Sequence, residues 1–369
     1  MKLCFISNPN SPHTQRWIDW YSDRGHQVYL IGDTPLKEPW TRCPFYDLTA
    51  HFNISKIKYI VWIFLERKIL TRWQPDILHC HRVTSAGWIG SFAGFHPLVV
   101  TPWGTDLYQY PYRSWWTRWL TCHVMKKADL ITTDSKDLLQ QAIRFGASQE
   151  KLHLIQWGVD FTFFASGGTA DRLRKKLGIG NEPVILSLRG LHPIYDQDVI
   201  LEALPMILGT IPNIKIILRD FHADSTYKIR LQSLIAKFGL KNHVIWVGPL
   251  HGPAELAELY RMADIGISVS SSDGTPVSVL EALACGLPVI ASDLPSLREW
   301  ITHDENGLLV PVGDVPALTE SVLRLLRDPG LRQKFLRVNL PLLRERADHH
   351  REMAKMEILY EEIAKKTKT

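Results

Sequence analysis

Short runs of strand-forming residues recur along this chain at helix-sized intervals, and that alternation restricts the fold more than any other feature. KLCFIS at 2–7 ends at the polar turn SNPNSP, TQRWIDWYSDRG reads as an amphipathic helix closed by Gly25, and HQVYLIG resumes an extended run. Strand, loop, helix, glycine and strand open a βαβ unit, which implies a parallel sheet with helices on its faces. The pattern recurs at 76–81, 97–104, 128–135 and 151–160. A polar, glycine-containing stretch, SGGTADRLRKKLGIGNE, then interrupts it. A second series follows at 183–190, 214–220, 243–248, 264–270 and 287–293, with a weaker run at 307–311, and 314–328 and 344–366 predict helices. The expected fold is α/β, with two doubly wound, Rossmann-like domains facing across a cleft. The expected organisation is a domain over 1–165, a linker over 166–182, a second domain over 183–345, and a C-terminal helix over 346–369 that packs back on the first domain. Sheets of this kind bind ligands beyond the carboxyl ends of their strands.

Several function classes are disfavoured. The formal charge of +5 is too mild for a nucleic-acid binder unless its bases cluster on one face. Cys4, Cys43, Cys80, Cys122 and Cys285 are odd in number and scattered, without zinc-ligand spacing, which fits a reducing cytoplasm. The N-terminus reaches polar residues too soon for a secretory segment, and YIVWIFL at 59–65 is closed by Glu66-Arg67-Lys68, so no membrane span and a cytoplasmic location are expected. No G-x-G-x-x-G follows a strand and no G-x-S-x-G elbow occurs.

The most informative stretch is SVSSSDGTPVSVLEALACGLPVIASDLPSLRE, 268–299. It predicts a strand to Ser270, a loop, Thr275 as N-cap and Pro276 at the first position of a helix that stops before Gly286. Unpaired N–H groups in the first helical turn favour a phosphate, here at Gly274, Thr275, Pro276, Val277 and Ser278. Glu281 leans toward the same place and suits two neighbouring ribose hydroxyls. Asp273, on the loop, should also prefer sugar hydroxyls to phosphate.

This stretch resembles the glycosyltransferase family 4 enzymes, also called group 1 glycosyltransferases, which are retaining transferases of GT-B fold. Their E-x₇-E, E-A-x-A-x-G-x-P-V-[IV]-A-[ST] and N-G-x-L-[VF] signatures are matched by Asp273 with Glu281, by 281–292 and by Asn306-Gly307-Leu308-Leu309-Val310. Weaker likeness to a bacterial and archaeal branch runs through 8–17, 79–81, 102–107, 128–135 and 157–160. The resemblance implies a nucleoside-diphosphate sugar on the C-terminal domain, an acceptor on the N-terminal domain, and a role in polysaccharide or glycolipid synthesis; no metal or other cofactor is expected. Asp273 replaces the first Glu of the signature, Trp103 stands where many relatives carry a His, and the Lys that often follows Arg189 is missing from 190–198. Arg189 is therefore the expected cation for the departing diphosphate, Asp273 the contact to the transferred sugar, and Asp106 a substitute for the absent His. Ser11, His13, Thr14 and Trp103 form the expected acceptor side. The rivals are a sugar-nucleotide epimerase on the same architecture and a non-catalytic nucleotide-sugar-binding protein.

Three further signals have competing readings. Asp196-Gln197-Asp198 spells a D-x-D metal signature but opens a helix, where acidic residues complement the dipole, so capping is favoured over metal binding. His79 and His81 share a strand face without further ligands, which favours hydrogen bonding over a metal. Basic and aromatic residues interleave at 54–73 and 112–127. These are either helices packing Trp and Ile inward or a surface for a bilayer interface, and the lipid-linked acceptors common in the resembled family tilt toward peripheral contact with the inner face of the cell membrane.

Overall fold

The computed structural model describes residues 1–51, 57–168, 170–221 and 223–368. Residues 54–56 of the first basic-aromatic segment and Thr169 of the polar stretch lie outside the described residues. The chain forms two compact units, Met1–Ile155 with Met353–Thr369, and Gln156–Glu352. The division falls after Ile155, ahead of the polar stretch expected to be the linker. That stretch contains the helix Asp171–Lys176, whose Leu173 is buried in the core of the second unit.

Among the described residues, the first unit holds seven parallel strands: β1 (Lys2–Ser7), β2 (Gln27–Gly32), β3 (Phe45–Asp47), β4 (Ile77–His81), β5 (Leu98–Thr101), β6 (Leu130–Thr133) and β7 (Leu152–Leu154), ordered β3-β2-β1-β4-β5-β6-β7. β3 was not expected. Three residues at a sheet edge are too few to show a period. The second unit holds six: β8 (Val184–Ser187), β9 (Lys215–Arg219), β10 (Val244–Val247), β11 (Ile265–Ser268), β12 (Val289–Ser292) and β13 (Leu308–Val310), ordered β10-β9-β8-β11-β12-β13. The middle strands read as nearly continuous apolar runs because helices cover both faces of a parallel sheet. In both sheets the order reverses beside the first strand, between β1 and β4 and between β8 and β11, and such reversals open a crevice at the carboxyl ends of the strands.

The helix expected over 344–366 is two helices, Pro329–Arg346 and His349–Lys368. Between them Val159 donates to the Ala347 carbonyl at 2.6 Å and accepts from the His349 amide at 3.0 Å, a strand-like bridge that interrupts the helix. Gly158 makes the approach possible: its φ is +67°, and a Cβ there would stand 2.8 Å from the Ala347 oxygen. No local pattern near 347 announces this break. Within the first unit, Tyr360 is fully buried with its hydroxyl 2.5 Å from His79 Nδ1, and Glu357 meets His26 at 2.6 Å.

Candidate functional site

In the second unit the candidate residues gather at the β8/β11 reversal. Arg189 follows β8 by two residues, and Asp273 lies on the loop after β11. Arg189 Nη2 stands 3.0 Å from Asp273 Oδ2, and Nη1 donates to Ser278 Oγ at 3.1 Å. The guanidinium lies over the Tyr195 ring at 4.3 Å. Its Nε is buried and has no hydrogen-bond partner among the described residues. Burial pushes the Asp273 carboxyl above its usual value, and the Arg189 charge, a hydrogen bond from Ser270 and the Gly274 amide pull it back. The loop is held from outside as well: Ser271 N donates to the Ile194 carbonyl at 3.0 Å, and Ser296 Oγ donates to the Asp273 carbonyl at 2.8 Å.

The helix after this loop is Val277–Ala284, shorter than expected at its start. Pro276, not Thr275, occupies the capping position, with φ −75° and ψ 108°, because the Thr275 hydroxyl instead accepts the Trp300 indole N–H at 3.3 Å. β11 likewise ends at Ser268 rather than Ser270. Glu281 is buried, and its Oε2 accepts the Tyr260 hydroxyl at 3.2 Å. Burial, and then the Glu281 charge, raise Tyr260 well above the ordinary phenol range, so it stays a donor. Cys285, beyond the helix, is pushed up to about 12 by burial and remains a thiol. Tyr195 and Tyr260 were missed by sequence reasoning, since neither sits in a motif and only folding brings them beneath Arg189 and beside Glu281.

In the first unit a second cluster forms at the β1/β4 reversal. Ser7 Oγ, at the end of β1, lies 2.7 Å from Thr14 Oγ1 and 3.2 Å from His81 Nδ1, at the end of β4. Trp103 follows β5, and its ring lies 5.8 Å from the His81 ring and 6.1 Å from that of His13. Ser11 occupies the capping position of the helix Pro12–Asp23 without a side-chain cap and is buried. Asp106 bridges two strand-end loops, accepting the Val83 amide at 2.7 Å and the Trp103 amide at 2.9 Å. Burial raises its carboxyl, and those two amides oppose the shift. Both oxygens thus accept backbone amides from the loops that follow β4 and β5.

His79 and His81 are both buried, with ring centroids 4.6 Å apart. His79 Nε2 meets Thr101 Oγ1 at 2.6 Å. Burial, followed by the neighbouring Arg82 charge, lowers His81 to about 3, so both rings are neutral near pH 7 and hydrogen-bonded, the reading favoured over a metal. In the D-x-D segment the expected side-chain cap does not form: Asp196 sits at the start of the helix Gln197–Leu208 with φ +48° and no capping hydrogen bond. Asp198 accepts from the Tyr227 hydroxyl at 2.7 Å and pairs with Arg230 at 2.5 Å. Among the described residues no cluster of His, Cys, Asp or Glu has metal-binding geometry. No helix among them is long and apolar enough to cross a membrane.

Two doubly wound units, each with polar side chains gathered where its strand order reverses, define the GT-B architecture. HepE from Anabaena, a structure solved with UDP, superposes with a TM-score of 0.81 at 19% identity, covering 98% of this chain and 100% of that one. The family follows from the sequence: residues 169–337 match the model described as "Glycosyl transferases group 1", and residues 2–135 match "Glycosyl transferase 4-like". The chain belongs to the group 1 glycosyltransferases and is a transferase. It is similar to EpsD of Bacillus subtilis, provisionally described as a glycosyltransferase, with 26% identity over 340 residues covering 86% of this chain and 85% of that protein. It is also 31% identical over 222 residues to the D-inositol 3-phosphate glycosyltransferase of Acidothermus cellulolyticus, a match covering 58% of this chain and about half, 49%, of that protein.

Proposed function

We propose that this protein is a retaining glycosyltransferase that moves a sugar from a nucleoside-diphosphate donor, held by the second unit, to a glycan or lipid-linked acceptor that meets the first, in polysaccharide or glycolipid synthesis. The carrying observation is Arg189: a largely buried guanidinium at the β8/β11 reversal, with two nitrogens fixed by Asp273 and Ser278. A planar fork anchored through two of its nitrogens presents the rest of its five N–H donors in set directions, as recognition of a phosphate oxygen requires. Charge grows on the departing diphosphate in the transition state, so a preorganised cation there lowers the barrier. Asp273 orients Arg189 and meets the transferred sugar. The N-terminal turn of Val277–Ala284 receives the phosphates, and Glu281, steadied by Tyr260, takes the ribose hydroxyls.

The side chains described at the site support the retaining part of the reading, because none of them is poised as a nucleophile. Cys285 is a protonated thiol, and Asp273 is engaged by Arg189, so the chemistry proposed is same-face substitution: the bond from the sugar carbon to the diphosphate oxygen breaks, the acceptor oxygen bonds to that carbon on the same face, and the acceptor's hydroxyl proton passes to the departing diphosphate oxygen. The acceptor hydroxyl is received near His13, Thr14, Ser11 and Trp103, with Asp106 holding the Trp103 loop. No metal or other cofactor takes part. Thermal shifts against a panel of UDP, GDP and ADP sugars, followed by NMR of the product anomer, test the proposal. A specific upward shift with one donor and a product of unchanged anomeric configuration is expected. An inverted product overturns the mechanism, and conversion of donor without an acceptor overturns the reaction class.

A further inference from the structure

The two interleaved basic and aromatic segments do not fold wholly into the core. In the helix Lys58–Trp73, Trp62 and Ile69 are buried, but Ile60 and Phe64 are 59% and 64% exposed. In the helix Trp115–Lys127 the buried residues are Thr121, Val124 and Met125, while Trp115, Trp116 and Trp119 are 67%, 56% and 48% exposed. The exposed rings touch one another: Trp115 stacks on Trp116 at 4.0 Å, and Trp119 leads through His123 to Phe92. Arg67, in the first helix, donates to the Phe92 and Ala93 carbonyls at 2.8 and 3.0 Å, so one surface joins both helices. Large contiguous apolar surface on a soluble domain marks an interaction site.

Its charge identifies the occupant. The described parts of the two segments carry Lys58, Arg67, Lys68, Arg72, Arg113, Arg118, Lys126 and Lys127, and their one acidic residue, Glu66, is fully buried. Burial raises the Glu66 carboxyl well above its usual range, which leaves the basic excess uncompensated. Exposed indoles beside guanidinium groups match an interface between headgroups and acyl chains, whereas a second copy of the same surface would repel itself. Topology adds a consequence. A crossover helix runs back against its parallel strands, so the apolar first turns of both helices lie toward the carboxyl edge of the sheet, the edge bearing Ser7, His81 and Trp103.

We propose that the outer faces of Lys58–Trp73 and Trp115–Lys127 seat this protein on an anionic lipid bilayer, with Trp115, Trp116, Trp119 and Phe64 at headgroup depth. This reaches beyond the donor-site reading and is measured without donor or acceptor, so either can fail alone. The test is co-flotation of the full chain with phosphatidylcholine vesicles, with and without about one-third phosphatidylglycerol, at about 0.05 M and about 0.5 M salt. Wild type should float with anionic vesicles at low salt and detach at high salt. The triple change Trp115→Ser, Trp116→Ser, Trp119→Ser should reduce partitioning at least roughly tenfold. Arg113→Gln with Arg118→Gln, which leaves the rings in place, should lower it about twenty- to thirtyfold at about fivefold per basic side chain. Thermal midpoints verify that both variants fold, and the arginine pair tests the surface even if the triple variant does not. Absence of wild-type flotation, or unchanged flotation of a folded variant, overturns the proposal. So does a vesicle-free dimer that the tryptophan changes dissolve, which would make a second copy the occupant.

Discussion

Removing Arg189 should destabilise the second unit by an amount set largely by what it leaves behind. Arg189 and Asp273 stand 3.0 Å apart with side chains only 15% and 13% exposed, so Arg189→Ala strands a carboxylate in a poorly solvated loop. Breaking a fully buried pair costs about 3–5 kcal/mol, and the residual solvent contact here lowers the expectation to about 2–3 kcal/mol at pH 7. For a unit of this size that is a fall of roughly 4–12 °C in the melting midpoint. The sign of the pH dependence follows from burial, which already raises the Asp273 carboxyl; without Arg189 it rises further. A folded-state value above the unfolded one means that the native state binds more protons in the window between them. Stability of the variant therefore improves as pH falls through the folded value, and its deficit against wild type narrows on acidification. Asp273→Asn in the Arg189→Ala background should recover much of the loss by removing the stranded charge. Calorimetric scans of the four proteins from pH 7.5 to about pH 5 complete a double-mutant cycle. An Arg189→Ala midpoint equal to wild type, or a deficit unaffected by Asp273→Asn, would refute the idea that this ion pair holds the loop.

Other outcomes are equally specific. Glu281→Gln keeps an acceptor for the Tyr260 hydroxyl but removes the charge, so folding should survive while donor affinity by calorimetric titration falls roughly ten- to a hundredfold, about 1.4–2.8 kcal/mol. His81, lowered to about 3, binds its proton more readily in the unfolded chain, so its contribution to first-unit stability should be full above about pH 6.5 and decline as pH falls, with a slope approaching 1.4 kcal/mol per unit, and the buried His79 adds a decline of the same sign. His81→Gln should remove the His81 share of the slope in urea titrations, and an unchanged slope assigns the protons elsewhere. Transfer activity should persist in excess chelator because Asp198 is already engaged by Tyr227 and Arg230; a collapse restored by Mg²⁺ or Mn²⁺ would reverse the assignment of the D-x-D segment.

The amino-acid order alone determined the alternation of strand and helix, all six strands of the second unit and the family motif from Asp273 to Val310, because these are local: side-chain period, glycine stops and short-range spacing are written in consecutive residues. Strand order was not legible. The reversals beside β1 and β8 bring Ser7 to His81, and Arg189 to Asp273, across separations of 74 and 84 residues along the chain. The same limit hid the bridge from Val159 to Ala347 that splits the last helix, the Trp300 indole that takes Thr275 from its capping role, and the amides that occupy Asp106. In each case a polar group had several plausible partners in sequence, and the closest buried donor or acceptor, known only once the sheets had packed, determined which it took.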